Sequence, residues 1–157
     1  MKAFRKLTLK LAAPADAAPI AAMSRELIEA GLPWSWTPER VARNLGQRDT
    51  LVLTARDGER LAGFAIMQFG EESAHLSLLA VRPDYQRLGA GRRMLEWLSA
   101  SALTAGIGSI HLELRENNSG ARRFYLGQGF TETARIPGYY RGAETAVRML
   151  RDIRIRR

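Results

Sequence analysis

The sequence contains no cysteine, which excludes disulfides, cysteine-ligated metals and a thiol nucleophile together, and with them covalent catalysis through a cysteinyl thioester. Histidine is nearly absent as well. His75 and His111 are the only two, and they give no recognisable metal-ligand spacing, so no metal is expected. No apolar run is long enough to span a bilayer, and the N-terminal stretch MKAFRKLTLKLAAPA is broken by Lys10 and Pro14 before a signal-peptide core forms. The expectation is a soluble cytoplasmic protein with no membrane partner. Repeats and low-complexity blocks are missing too, and 157 residues at 46% hydrophobic suit one compact domain over residues 1–157.

Lysine is scarce. Only Lys2, Lys6 and Lys10 occur, so the formal charge of +8 rests almost wholly on arginine, ending in Arg151, Arg154, Arg156 and Arg157. Such a surface attracts polyanions, but a general arginine preference with a solvated tail explains it as simply, and nucleic acid is not expected as a partner. Two phosphate-binding motifs are also absent. G-x-x-x-x-G-K-S/T does not occur, and G-x-G-x-x-G fails because Met94 stands at its third glycine.

What is present is centred on Leu78 to Leu98, LLAVRPDYQRLGAGRRMLEWL. Leu78, Leu79, Ala80 and Val81 form an apolar run ended by Arg82-Pro83, because proline cannot donate to a ladder. From Arg92 the apolar residues Met94, Leu95, Leu98 and Ala102 fall at helical spacing, so Gln86-Arg87-Leu88-Gly89-Ala90-Gly91 leads into a helix N-terminus. A helix start exposes unpaired N–H groups and a partial positive charge, and glycine removes the Cβ that would block an approaching anion. A phosphate-bearing ligand is predicted there; a simple tight loop is the alternative.

Q-x-x-G-x-G after a strand ending in A-V-x-P resembles the acetyl-CoA signature of the GNAT superfamily of N-acetyltransferases. A second stretch, Leu112-Glu113-Leu114-Arg115, Asn118, Ala121, Phe124-Tyr125 and Gly129-Phe130, is similar to that family's L-E-V-R-x-x-N-x-x-A-x-x-x-Y-x-x-x-G-F pattern at unbroken spacing. The likeness is strongest to the bacterial branch that acetylates ribosomal-protein N-termini. It implies a GNAT fold of class α/β (α+β), with a mixed, mostly antiparallel sheet of about seven strands and helices on both faces, and it implies acetyl-CoA as cosubstrate.

The remaining elements follow in order. Leu7, Leu9 and Leu11 alternate with polar residues, as in a half-buried strand. Asp16 offers an N-cap to a helix carrying Ile20, Met23 and Leu27 and stopped by Gly31. Thr37-Pro38 opens a second helix that runs to Gly46. Leu51–Ala55 and Leu61–Phe69 make an antiparallel hairpin about Asp57-Gly58. The strand from Ala74 to Val81, the helix from Arg92 and the strand from Ile110 to Arg115 make a right-handed parallel βαβ unit. A short helix capped by Asn118 or Ser119 follows, then Thr131–Ile136, a Pro137-Gly138 turn and a last strand from Thr145 to Ile153.

On the strand from Ile110, alternation places His111, Glu113 and Arg115 on one face, which must meet solvent or a wet cleft. By resemblance Glu113 is the general base. With a reference pKa of ~4.3, a glutamate needs a raised pKa or a bridging water to deprotonate an amine. Tyr125 matches the acid that protonates the departing thiolate. Leu79, Ala80 and Val81, the loop Gln86, Arg87, Leu88, Gly89, Ala90, Gly91 and Arg92, and Asn118 match the cofactor-binding positions. His75 reads as structural.

Trp34 and Trp36 either close over the core edge or border the acceptor groove. Tyr139 and Tyr140 either pack a hairpin or face a peptide, as in the Y-Y-x-x-G-x-D-A-x-x-M ending of N-terminal acetyltransferases; here Glu144 stands one place early, with Thr145 where Asp is usual. The reaction implied is direct attack of a primary amine on acetyl-CoA, with a protein N-terminal α-amine as leading acceptor. Small amines (amino acid, polyamine, antibiotic) and a non-catalytic acyl-CoA-binding module are the alternatives, with the protein a monomer or homodimer.

Overall fold

The computed structural model describes residues 6–154; Lys2, Arg156 and Arg157 lie outside the described residues. In chain order the elements are β1 (Thr8–Leu11), α1 (Ala17–Leu27), α2 (Pro38–Leu45), β2 (Thr50–Asp57), β3 (Arg60–Phe69), β4 (Ser73–Val81), α3 (Ala90–Thr104), β5 (Ser109–Arg115), α4 (Ser119–Gly127), β6 (Thr131–Tyr140) and β7 (Glu144–Asp152). The strands form one seven-stranded sheet ordered β1-β2-β3-β4-β5-β7-β6. Every described pairing is antiparallel except β4 with β5. The mixed, mostly antiparallel sheet expected from the sequence is present. No helix among the described residues is long and apolar enough to cross a membrane.

Local chemistry sets most boundaries where the sequence put them. Gly58 adopts φ +60° in the two-residue β2–β3 turn, where glycine meets no Cβ penalty. Thr37 Oγ1 accepts from Arg40 N at 3.3 Å with Pro38 at the first helical position, satisfying one orphan donor of α2.

Four expectations need correction. Asp16 precedes α1 but does not cap it: Oδ2 accepts from Ala13 N at 2.7 Å and Oδ1 pairs with Arg56. That helix ends at Leu27, ahead of Gly31, which sits at φ +81° in the following loop. The β1 alternation fails, since Leu7 is buried but Leu11 is exposed; an edge strand has little covering it. Pro137-Gly138 is not the turn. β6 runs on to Tyr140 through a bulge, with Ile136 opposite Ala146 and Tyr140 opposite Glu144, and the chain reverses at Arg141–Ala143. Proline is tolerated there because β6 is an edge strand and the bulge removes the ladder bond it could not donate.

Helices cover both faces, but unequally. On one face, Met94, Leu95 and Leu98 of α3 pack on Ala65, Met67, Ile110, Leu112 and Met149. On the other, Ile20 and Met23 of α1 and Val41 of α2 pack on Phe64, Ile66, Leu78 and Ala80. This second cluster holds no residue of β5, β6 or β7. The polar face of β5 therefore lies where no helix covers it, which is why it can be ionisable.

A bulge in β4 links the two faces. Ile66 pairs with Leu78 but Met67 pairs with Leu76, so Ser77 is an extra residue in the strand. An inserted residue reverses the facing of everything beyond it. Ala74 and Leu76 accordingly join the α3 cluster, while Leu78 and Ala80 join the α1–α2 cluster.

Candidate active site

The bulge also begins a gap in the sheet. β4 and β5 are paired only through Ser73↔Ser109, Ala74↔Ile110 and His75↔His111, although each continues well beyond that point beside its other neighbour. Arg82 N donates to Ala62 O at 2.8 Å, and backbone bonding alternates along a strand, so Leu78 and Ala80 point theirs at β3 while Leu79 and Val81 present theirs to the gap. Gln86 Nε2 donates to Val81 O at 3.0 Å from that side, consistent with this direction. A cleft of about 1080 Å³ runs through the gap, large enough for a drug-sized ligand and a second molecule beside it.

One wall of the cleft is backbone and glycine. Gly89 caps α3 at φ +77° and has no side chain to cap with. The first intrahelical bond is Arg93 N to Gly89 O at 2.9 Å, so the N–H groups of Ala90, Gly91 and Arg92 have no acceptor within the helix. Arg87 also holds a positive φ, +70°, a conformation that costs a non-glycine residue about 1 kcal/mol or more. A Cβ on Gly91 would come within 3.0 Å of Phe124 Cζ, so glycine is what lets α4 close against the loop. Asn118 Oδ1 caps α4 by accepting from Ala121 N at 3.1 Å and also lines the cleft.

Of the sequence-assigned cofactor positions, the structure brings Leu79, Ala80, Val81, Gln86, Arg87, Gly89, Ala90, Gly91, Arg92 and Asn118 to this cleft. Leu88 is not among the lining residues and is 47% exposed. Tyr125 lines the cleft from the α3 face, its ring edge-on to Phe124 and Phe130 at 5.1 and 5.4 Å. Burial pushes its phenol pKa well up, so it holds its proton.

The opposite wall is made of side chains. Glu29 organises the loop between α1 and α2: its carboxylate accepts from Ser24 Oγ at 2.9 Å, Ser35 N at 2.8 Å and Ser35 Oγ at 2.6 Å. Burial acts to raise its pKa, but these bonds outweigh it and the pKa is lowered. Trp36 borders the cleft though only 7% exposed, with the Arg40 guanidinium 3.8 Å above its ring. Trp34 does not reach the cleft: its indole N–H donates to Ala21 O at 3.2 Å and Arg25 lies over the ring. Facing this loop are Tyr139, Tyr140 and Arg141 at the end of the β6–β7 hairpin. The tyrosines stack edge-on at 4.9 Å. Tyr140 is pushed up to about 12, by burial first and then by the neighbouring Tyr139 and Glu113 charges.

Between the walls lies Glu113. His75 Nε2 is 2.7 Å from its Oε1, Arg148 Nε donates to its Oε2 at 2.9 Å, and Tyr139 OH donates to Oε1 at 3.4 Å. Burial acts to raise the Glu113 pKa, but the hydrogen bonds and charges of His75 and Arg148 prevail and lower it to about 2. The raised pKa that a direct glutamate base requires is thus not what the structure provides. His111 stacks on His75 at 4.8 Å, and its pKa is lowered by burial first and then by His75.

His75 lines the cleft and contacts Glu113 directly. Donor atoms of His75, His111 and Glu113 lie within 4.8 Å of one another, but the Arg148 guanidinium already occupies Glu113, which makes this an ion-pair network. Sequence reasoning missed Arg148 and Glu29, and placed Arg115 on the right face without giving it a role. Arg115 lines the cleft with Nε and Nη2 buried and without hydrogen-bond partners among the described residues.

Comparisons with known proteins agree with this geometry. Residues 21–130 match the model of the Acetyltransferase (GNAT) family. The [ribosomal protein bS18]-alanine N-acetyltransferase of Salmonella typhimurium is 39% identical over 118 residues, covering 73% of this chain and 78% of that protein. The crystal structure of the ribosomal-protein-S18-alanine N-acetyltransferase from Escherichia coli superimposes with a TM-score of 0.82 at 29% identity, covering 97% of each chain. The PaiA N-acetyltransferase from Thermoplasma acidophilum, crystallised with coenzyme A, shares the fold at a TM-score of 0.76 and 19% identity, covering 94% of this chain and 99% of that one.

Proposed function

This chain belongs to the GNAT family and is an acetyl-CoA-dependent N-acetyltransferase, and from that premise we propose that its acceptor is the α-amine of a protein N-terminus. Acetyl-CoA supplies an activated thioester, and the α3 N-terminus with Gln86–Arg92 would hold its phosphates. Leu79 and Val81 N–H groups, free of β3, would take up the negative charge that gathers on the thioester oxygen. Tyr125, on the opposite face of the sheet from Glu113, would protonate the departing thiolate.

The observation that carries the acceptor assignment is the wall formed by Tyr139 and Tyr140 against the Glu29-organised loop, with Glu113 at its base. The named relatives are ribosomal protein S18-alanine N-acetyltransferases, and a groove between a loop and a hairpin suits an extended chain end. Glu113 is held ionised by its partners, its oxygens engaged by His75, Tyr139 and Arg148. An α-amine also needs less help than a lysine: its reference pKa is ~7.7 to 8.0 against ~10.4.

Thiol release from acetyl-CoA is the test, measured on a peptide with a free α-amine, its N-blocked lysine-containing analogue, spermidine and an aminoglycoside. Turnover of the first alone is expected. Turnover confined to a small amine overturns the N-terminal assignment.

A further inference from the structure

We propose that His75, rather than Glu113, receives the proton of the acceptor amine, through the hydroxyl of Ser77, and that Glu113 fixes the imidazole in the tautomer that leaves Nδ1 bare. The inference rests on the reading that an amine enters this cleft beside Glu113.

The hydrogen-bond directions set the tautomer. An ionised carboxylate only accepts, so at 2.7 Å from Glu113 Oε1 the His75 Nε2 must carry a hydrogen. In the neutral ring the lone pair is then on Nδ1. That atom faces Ser77 Oγ at 3.4 Å. Ser77 is the bulge residue, inserted where β4 leaves β5, and both it and His75 line the cleft. Its hydroxyl has a second neighbour in Gln68 Oε1 at 3.5 Å, and the Gln68 amide is held by Asn44 Oδ1 at 3.4 Å. The order Ser77, His75, Glu113 is a hydroxyl, an imidazole and an orienting carboxylate within reach of one another.

The groups that face His75 come from the neighbouring strands. β5 contributes the Glu113 carboxylate and the stacked His111 ring, whose pKa is lowered. β7 contributes Arg148 and β6 contributes Tyr139, both directed at Glu113 rather than at His75. Gln68 on β3 is neutral. With Arg148 and His75 both on Glu113, that carboxylate titrates at about 2. Taking a proton from an α-ammonium onto so acidic a group is strongly unfavourable, whereas Nδ1 of the neutral imidazole offers a lone pair for it. The ammonium N–H bond breaks as Ser77 Oγ accepts the proton, the Ser77 O–H proton passes to Nδ1, and the freed nitrogen lone pair attacks the thioester carbon. As that C–N bond forms the C–S bond breaks, the thiolate leaves with the proton of Tyr125, and the second proton shed by the nitrogen makes good that loss through solvent. The imidazolium lies against Glu113 and later returns its own proton to solvent.

The test uses the whole chain. kcat at saturating acetyl-CoA and amine is measured from pH 5 to 9 beside an NMR titration of the imidazole Cε1 signals, of which there are two because the chain has two histidines. His75→Gln leaves one and so assigns both. We expect kcat to rise through an inflection that coincides with the His75 signal, and His75→Gln to lower kcat by roughly a hundredfold and abolish that inflection while keeping coenzyme A affinity within about twofold. A His75→Gln variant that retains the rate and the inflection overturns the proposal, as does a wild-type profile flat down to pH 5. Imidazole 15N shifts read the tautomer in the wild-type protein with no turnover needed: hydrogen on Nε2 supports the assignment and hydrogen on Nδ1 overturns it. Failure of the peptide with turnover of another amine sinks the acceptor reading alone, since the same profile is then taken on that amine.

Discussion

The two walls of the cleft are built from different material. The donor wall is backbone: orphan N–H groups at the start of α3, Gly89 at positive φ, and strand edges left open where β4 parts from β5. The acceptor wall is side chains, Glu113 with His75, Arg148 and Tyr139, flanked by a loop tied to Glu29. The difference matches what each wall is proposed to recognise. A phosphate-bearing cosubstrate common to many enzymes can be met by main-chain geometry that any side chain would only obstruct, whereas selecting and deprotonating one amine needs groups that can be exchanged.

If the walls are separable, each can be damaged alone. Glu113→Gln should lower kcat by about 10²-fold or more while leaving coenzyme A affinity within twofold, read by thiol release and calorimetry; equal loss of both would join the walls into one unit.

Acid should act on the acceptor wall. The Glu113 pKa in the fold, about 2, lies below its unfolded value of ~4.3, so its stabilisation is complete above ~4.3 and lost as pH falls through the folded value, a contribution of about 3 kcal/mol. Urea unfolding between pH 5 and 3 should show a steeper loss for wild type than for Glu113→Gln. Parallel curves would refute the ion-pair account.

The smallest effect is expected on the donor wall. Gly91→Val puts a Cβ 3.0 Å from Phe124 Cζ, which should weaken coenzyme A binding about tenfold, ~1.4 kcal/mol, with kcat at saturation near wild type. A fall in kcat without a change in affinity would show that the loop positions the reaction rather than the phosphates.

The donor wall was legible in the sequence because its signals are local. A strand stop at Pro83, a glycine pair and a helical period lie within one stretch, and the fold changes only the helix start, to Ala90. Thr37-Pro38 and Asp57-Gly58 were legible for the same reason. The acceptor wall was not, because its contacts are assembled across the chain: Glu113 meets His75, Arg148 and Tyr139 over separations of 38, 35 and 26 residues. Glu113 was found only through a motif, and its lowered pKa could not be read there because the groups that lower it, His75 and Arg148, come from other strands. Pro137-Gly138 was misread because proline and glycine mark an edge-strand bulge as readily as a turn.

The extra residue in β4 divides one strand between two tasks. Before Ser77 the odd-numbered positions, His75 among them, face the acceptor side; beyond it Leu79 and Val81 pack with the α3 cluster on the donor side. Within a nine-residue strand, the residues proposed to tune proton chemistry and those proposed to meet the acyl group are thus addressed to opposite faces of the sheet. Substitutions in one set need not be compensated in the other, so a lineage can alter which acyl group it accepts without relearning how it activates an amine.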